Sequence, residues 1–368
     1  MPSLRSITFG FVVGALGIWP SLAQAQSIDR YGLLQTLTLP GSGGPVAAAP
    51  DGRLVTLSGS TVYRETSAGS RTFSALGTLS GADFSASGAA FVRVSPDGTK
   101  LAVGNGGGAS FSSYKVGVFT LPALSGVWFS VNHFDGAWCN NRFLALSAGT
   151  FGQPSAVIAL DTAITSSSSP RTITLVNNIG GSSGGIAFDA ARNLFTGNGY
   201  KGAGPSETGA IHGFPRAQWR SVLSGGAALD FETQGTEIAV LLSASPLQFD
   251  NGGNLLVGGG NFGVDNPIAL VRASAVARAL SGGEPVDPDD SSSVRRFDPD
   301  SGNSSNFYTV TTNPARAEFY VQDQGTPTKI FMYGACSASR TPGAPLGPTS
   351  WVMLANGAVV LLRRARAE

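Results

Sequence analysis

The stretch FDNGGNLLVGGGNFG, Phe249 to Gly263, decides the fold. An Asp-Asn-Gly-Gly turn is followed by an apolar run and then by a glycine-rich opening. Asn-Gly and Asp-Gly tolerate positive φ and close short hairpins whose twist suits the flanking strands. The run after the turn therefore reads as the second strand of a hairpin. The same order of parts recurs in APDGRLVTLSG (Ala49 to Gly59), SPDGTKLAVGNGGG (Ser95 to Gly108), CNNRFLALSAGTFG (Cys139 to Gly152) and FDAARNLFTGNGYKG (Phe188 to Gly202).

A third apolar strand follows each opening: TVYRE (Thr61 to Glu65), YKVGVFTL (Tyr114 to Leu121), AVIALD (Ala156 to Asp161), AIHGF (Ala210 to Phe214) and IALVR (Ile268 to Arg272). RTFSAL (Arg71 to Leu76), VWFSV (Val127 to Val131) and RTITLV (Arg171 to Val176) read as fourth strands. Four antiparallel strands repeating at roughly 45 to 60 residues are the signature of β-propeller blades. The expected fold is thus all-β, a propeller of four-stranded antiparallel blades. Seven blades would average about 49 residues and six about 57; seven is the favoured count. LLQTLTLP, Leu33 to Pro40, precedes the first unit without a partner. It is expected to close the ring by pairing in the last blade, because an unpaired edge invites association.

SPDGTKLAVGN with its VGVFTL strand resembles the YVTN-type repeat of bacterial extracytoplasmic propellers. FDNGGNLLVGG is similar to NHL-type, gluconolactonase-like repeats. The resemblance covers Val46 to about Arg272. It implies architecture more than activity, since such repeats serve enzymes, carriers and scaffolds alike.

The chain has 368 residues, 50 glycines and 13% charged residues, yet 42% are hydrophobic, enough for a sizeable core. A formal charge of +1 gives no basic footprint for nucleic acid. Arg5, the apolar run Ile7 to Trp19 and the small-residue AQA at Ala23 to Ala25 read as a signal peptide over residues 1–25, cleaved after Ala25. The remainder, 26–368, is expected to be one propeller domain with a polar insertion at about 281–305. The destination is the periplasm or the medium, with no membrane span after cleavage.

In a blade, the turn between the first two strands lies on one face of the ring, and the loop between the second and third lies on the other. Asp51, Asp97, Asp189 and Asp250 accordingly read as turn formers. The opposite face carries the glycine-rich loops, with Asn105, Phe111, Phe151, Asn198, Tyr200, Asn261, Phe262 and Asp265. Amides and aromatic faces on one rim suit a small polar ligand such as a carbohydrate, or a protein partner. Turn chemistry and blade-edge packing account for the same residues without a ligand. Gluconolactonase-like propellers hold a divalent metal near the channel mouth. The oxygens of Asp83, Asn132, Asp135 and Asn178 are the candidate calcium ligands on that resemblance. Cys139 and Cys336 either pair in an oxidising compartment or remain two buried thiols.

His133 and His212 are the only histidines, which argues against a multi-histidine metal centre. G-x-S-x-G is met only inside the glycine-rich link GGSSGG, Gly180 to Gly185, which reads as blade-link glycine, and neither C-x-x-C-H nor a P-loop occurs. The favoured reading is an exported soluble propeller that binds a ligand or partner on its Gly/Asn/aromatic face. The alternative is a calcium-dependent hydrolase or lactonase-like enzyme with the metal at the channel mouth.

Overall fold

The computed structural model describes residues 28–81, 84, 89–105, 114–149, 154–163, 170–200, 209–241, 243–259, 267–299, 308–313, 315–323, 326–335, 353–355 and 358–360. Strand β1 (Tyr31–Thr38) opens the described chain. Blade one is β2 (Val46–Ala48), β3 (Leu54–Ser58), β4 (Thr61–Glu65) and β5 (Phe73–Thr78). Blade two is β6 (Ala89–Val94), β7 (Lys100–Asn105), β8 (Val116–Thr120) and β9 (Gly126–Phe129). Blade three is β10 (Gly136–Trp138), β11 (Phe143–Ala148), β12 (Ser155–Asp161) and β13 (Thr172–Ile179).

Blade four begins with β14 (Ser182–Phe188), β15 (Leu194–Tyr200) and β16 (Gly209–Phe214). Helix α1 (Arg216–Leu223), strand β17 (Leu229–Asp230) and the short helix α2 (Phe231–Gln234) then intervene before its fourth strand, β18 (Thr236–Leu241). β17 adds in parallel to the outer edge of β13. Blade five is β19 (Leu247–Phe249), β20 (Leu255–Val257) and β21 (Ile268–Val271), then helix α3 (Ala273–Leu280), then β22 (Val294–Phe297). Blade six is β23 (Tyr308–Asn313), β24 (Glu318–Asp323) and β25 (Lys329–Ala335), with β1 as its fourth strand. β1 runs antiparallel to β25, from Tyr31 opposite Ala335 to Thr38 opposite Lys329.

The innermost strands β2, β6, β10, β14, β19 and β23 pack each on the next, and β23 returns to β2. The ring therefore has six blades, which corrects the count of seven. The residues that a seventh blade would need are spent elsewhere. Two helical insertions, after β16 and after β21, lengthen blades four and five. Among the described residues the polar run beyond Leu280 supplies turns, one parallel bridge from Val286 to Ala239 of β18, and then β22, the outer strand of blade five. Residues 336–368 form a second unit, in which β26 (Met353–Ala355) pairs antiparallel with β27 (Ala358–Val360) in a sheet of their own. The N-terminal strand closes the last blade as expected.

The core lies between blades. Val55, Leu57 and Val62 of blade one meet Val92, Leu101 and Val103 of blade two. Leu256, Ile268 and Leu270 of blade five meet Phe319, Val321 and Phe331 of blade six. Middle strands are covered on both faces, so β3 and β20 are buried throughout and read as unbroken apolar runs. Burying each such side chain contributes roughly 1.5–3 kcal/mol. Among the described residues no helix is long and apolar enough to cross a membrane.

The hairpin turns are built by their aspartates. Asp51 accepts from the Arg53 N–H, Asp97 from Thr99, Asp189 from Asn193 and Asp250 from Gly252 and Asn254. Gly52 and Gly253 take φ of +80° there, a conformation that costs a glycine little.

Candidate functional site

The turn face of the ring opens into an axial cavity of about 350 Å³. All six blades line it: Ala48 and Pro50, Arg93 and Ser95, Trp138, Phe188 and Arg192, Gln248 and Phe249, Thr311 and Thr312. Trp138, Phe188 and Phe249 share one repeat position. Each ends its inner strand and immediately precedes the hairpin turn. Threonine hydroxyls of the neighbouring blade six are engaged: Thr311 donates to the Val46 carbonyl and Thr312 to that of Phe249. Gln248 presents an amide without a partner among the described residues.

Below this cavity the wall is held by a buried ion pair. Arg93 Nη2 donates to Asp135 Oδ1 at 2.6 Å, and its Nε donates to the Gly136 carbonyl at 2.8 Å. Asp135 also accepts from the backbone N–H of Gly136 and, through Oδ2, from that of Ile186. One carboxylate thereby joins blades two, three and four. Burial raises the Asp135 pKa from its ordinary value, while Arg93 pulls it back down. His133 lies beside it, buried, with Nδ1 at 2.8 Å from the Val131 carbonyl and Nε2 at 2.9 Å from that of Asn105. Phe91 and Tyr114 meet its ring edge to face. Burial lowers the His133 pKa against the pull of the two carbonyls.

The residues read from the sequence fall into three groups. Phe111, Phe151, Asn261, Phe262, Asp265, Asp83 and Cys336 lie outside the described residues. Asn105 and Asn198 occupy equivalent places, each after a glycine near the end of the second strand of its blade. Both are buried, but they differ in bonding. Asn105 Oδ1 accepts from the Lys115 N–H at 2.6 Å. Among the described residues neither the Oδ1 nor the Nδ2 of Asn198 has a hydrogen-bond partner. Tyr200 ends β15, opposite Ser182.

Of the candidate oxygen ligands, Asp135 is engaged by Arg93, and Asn132 is exposed on the link into blade three. Asn178 sits near the end of the outer strand β13 with φ +58° and donates to Asp230 at 2.7 Å. Cys139 is a buried free thiol whose pKa is pushed up to about 12 by burial, which makes it a poor nucleophile.

Two features were missed in the sequence. Asn193 and Asn254 each donate from Nδ2 to the turn aspartate of their blade, at 2.8 Å in both cases. Their Oδ1 atoms accept the N–H of Arg216 and Ala273, the first residues of α1 and α3. The shared FDxxxN spelling of the two turns, followed in both blades by a helix, was the available signal. The second feature is Arg192. It stands two residues before Leu194, as Gly52 stands before Leu54 and Gly253 before Leu255. It adopts φ +67° where the sister turns place glycine. Its guanidinium donates to the carbonyls of Trp138 and Cys139 and lies over the Phe188 ring at 5.4 Å.

No protein-family model and no curated protein matches the chain. Solved structures share its architecture. The PQQ-bound aldose sugar dehydrogenase from Streptomyces coelicolor aligns with a TM-score of 0.52 at 15% identity, covering 83% of this chain and 97% of that one. The calcium structure of Trichoderma reesei Carbohydrate-Active Enzymes Family AA12 gives 0.54 at 11% identity, with coverage of 83% and 95%. The Cps50 (Swd1) β-propeller domain of Myceliophteria thermophila gives 0.50 at 12%, with 83% and 100%. At these identities the likeness is one of fold: this chain is a β-propeller.

Proposed function

We propose that this chain is an exported binding propeller that takes a small, partly apolar ligand in its axial cavity. The observation that carries the reading is the convergence of all six blades on one recess of about 350 Å³. Its aromatic wall and few polar groups match the make-up of small-molecule sites. Trp138, Phe188 and Phe249 would give apolar surface to one side of a sugar or similar ring, and Gln248 an amide to its hydroxyls. The test is a thermal-shift and calorimetric screen of neutral saccharides against the wild type and Gln248→Leu. A hit should bind at least about ten-fold more weakly to the variant, the equivalent of one lost hydrogen bond. A ligand whose affinity is unchanged by Gln248→Leu and by Phe249→Ala does not sit in this cavity. Expression with the leader and N-terminal sequencing checks export, with Gln26 as the expected first residue.

A second reading keeps the ligand on the glycine-rich loop face, and Asn198 favours it. A buried amide with neither atom bonded costs about 1–3 kcal/mol for each group left unpaired. A bound polar ligand would supply the missing partners. Binding lost in Asn198→Leu and retained in Gln248→Leu would move the site to that face.

A further inference from the structure

Beside the axial cavity lies a groove of about 460 Å³ between the turn of blade three and helix α1. Three arginines line it: Arg192 from the blade-four turn, and Arg216 and Arg220 from successive turns of α1. None of them takes part in an ion pair among the described residues. The Asp189 carboxylate, whose charge is felt at Arg192, makes its hydrogen bonds to the N–H and the amide of Asn193 rather than to a guanidinium. Most other arginines in the ring are paired, as Arg71 is with Glu318, Arg93 with Asp135 and Arg142 with Asp161. Like charges gathered in a shared recess repel, weakly where water reaches them, and a bound anion would relieve that repulsion. Burial and then the charge of Arg216 push the Arg192 pKa below its ordinary value. Arg192 also carries the strained backbone already described, and strain of that kind persists where the surroundings over-determine it.

The rest of the groove defines what the counter-charge is attached to. Trp219 and Phe143 supply apolar wall. Asn140 accepts the N–H groups of Arg142 and Phe143 through Oδ1, which leaves its Nδ2 donors for a ligand. We propose that this groove binds a small organic oxyanion, a carboxylate or phosphate carried on an apolar or aromatic body, between Arg192, Arg216 and Arg220. Guanidinium forks match both anions in bidentate geometry. Apart from Arg192, the groove and the axial cavity have no residue in common, so this proposal stands or falls independently of the saccharide reading.

The experiment is titration calorimetry on the full ring at low salt with phenyl phosphate, benzoate, phenol and inorganic phosphate. Phenyl phosphate or benzoate should bind, more tightly than inorganic phosphate, and phenol should not. Arg216 and Arg220 are exposed on α1, so the double replacement by alanine preserves the helix. Binding should fall at least ten-fold in that double variant and less in Arg220→Lys. Raising salt should weaken it as well. Phenol binding as well as phenyl phosphate would overturn the proposal. So would affinity within two-fold of wild type in the double variant, or no heat from any anion. Capture of a polyglutamate peptide without phenyl phosphate binding would reassign the groove to an acidic protein partner.

Discussion

His133 shows what a single side chain does when the ring closes over it. Its two nitrogens face two carbonyl oxygens, yet a neutral imidazole has one N–H to donate. The carbonyls favour the charged ring and burial opposes it; burial prevails, and the folded-state pKa lies below 6.5. The sign follows from proton uptake. Above pH 6.5 both folded and unfolded His133 are neutral, and the full stability is present. As the pH falls below that value the unfolded chain takes up a proton that the folded ring resists, so stability drops until the folded pKa is passed. Urea unfolding at pH 7.5 and 5.0 should show a loss of stability at the lower pH that His133→Gln lacks. Equal losses in both proteins would remove His133 as the cause. Nothing near His133 in sequence announces this. The two rings and two carbonyls come from β6, the end of β7, the residues just before β8 and the link into β10, which only the folded blade brings together.

At the scale of the element, the blade was legible because its information is local. An Asp-Gly turn, an apolar run and a glycine opening lie within about fifteen residues, and short-range hairpin geometry follows from them. The axial cavity was not legible for the opposite reason. Trp138, Phe188 and Phe249 belong to three different repeats, and their convergence depends on how many blades close the ring. The spelling did carry a hint, since each directly precedes its turn. The two helical insertions illustrate the same boundary. Their existence could be read from PRAQWRSVLSGG and VRASAVARALSGG, but their anchoring asparagines could not. Asn254 is fully buried and bonds the turn through Nδ2 and α3 through Oδ1. Asn254→Ala would orphan the Ala273 N–H and remove one donor from Asp250, at a cost of about 2–4 kcal/mol. Asn193→Ala in blade four should cost less, because that site is half-buried and water can replace the amide. Denaturant midpoints of the two variants, with exposed Asn251→Ala as control, check the ranking; equal effects of Asn254→Ala and Asn251→Ala would refute it.

For the whole molecule the decisive contact is the one that makes a line of blades into a ring. β1 supplies the fourth strand of blade six and removes the edge that β25 would otherwise present. Its first residue does more than pair. Tyr31 is buried, packs its ring at a tilt against Phe319 and donates its hydroxyl at 2.8 Å to Asp250, the turn former of blade five. Ile28, just ahead of it, is buried in the cluster that joins blades five and six. Arg295 of β22 holds the Ile28 carbonyl at 2.8 Å. Closure is therefore a latch across two blades, and its parts separate by mutation. Tyr31→Phe keeps the ring packing and loses one hydrogen bond to a carboxylate that retains three other donors, so it should cost about 1.5–3 kcal/mol. A chain beginning after Thr38 loses the strand, the latch and Ile28 together. It should melt far below a chain beginning at Gln26, and it should associate through the bared β25 edge, as light scattering would show. If the shortened chain stayed monomeric with an unchanged melting temperature, β1 would be an ornament on a ring that closes through β23 and β2 alone.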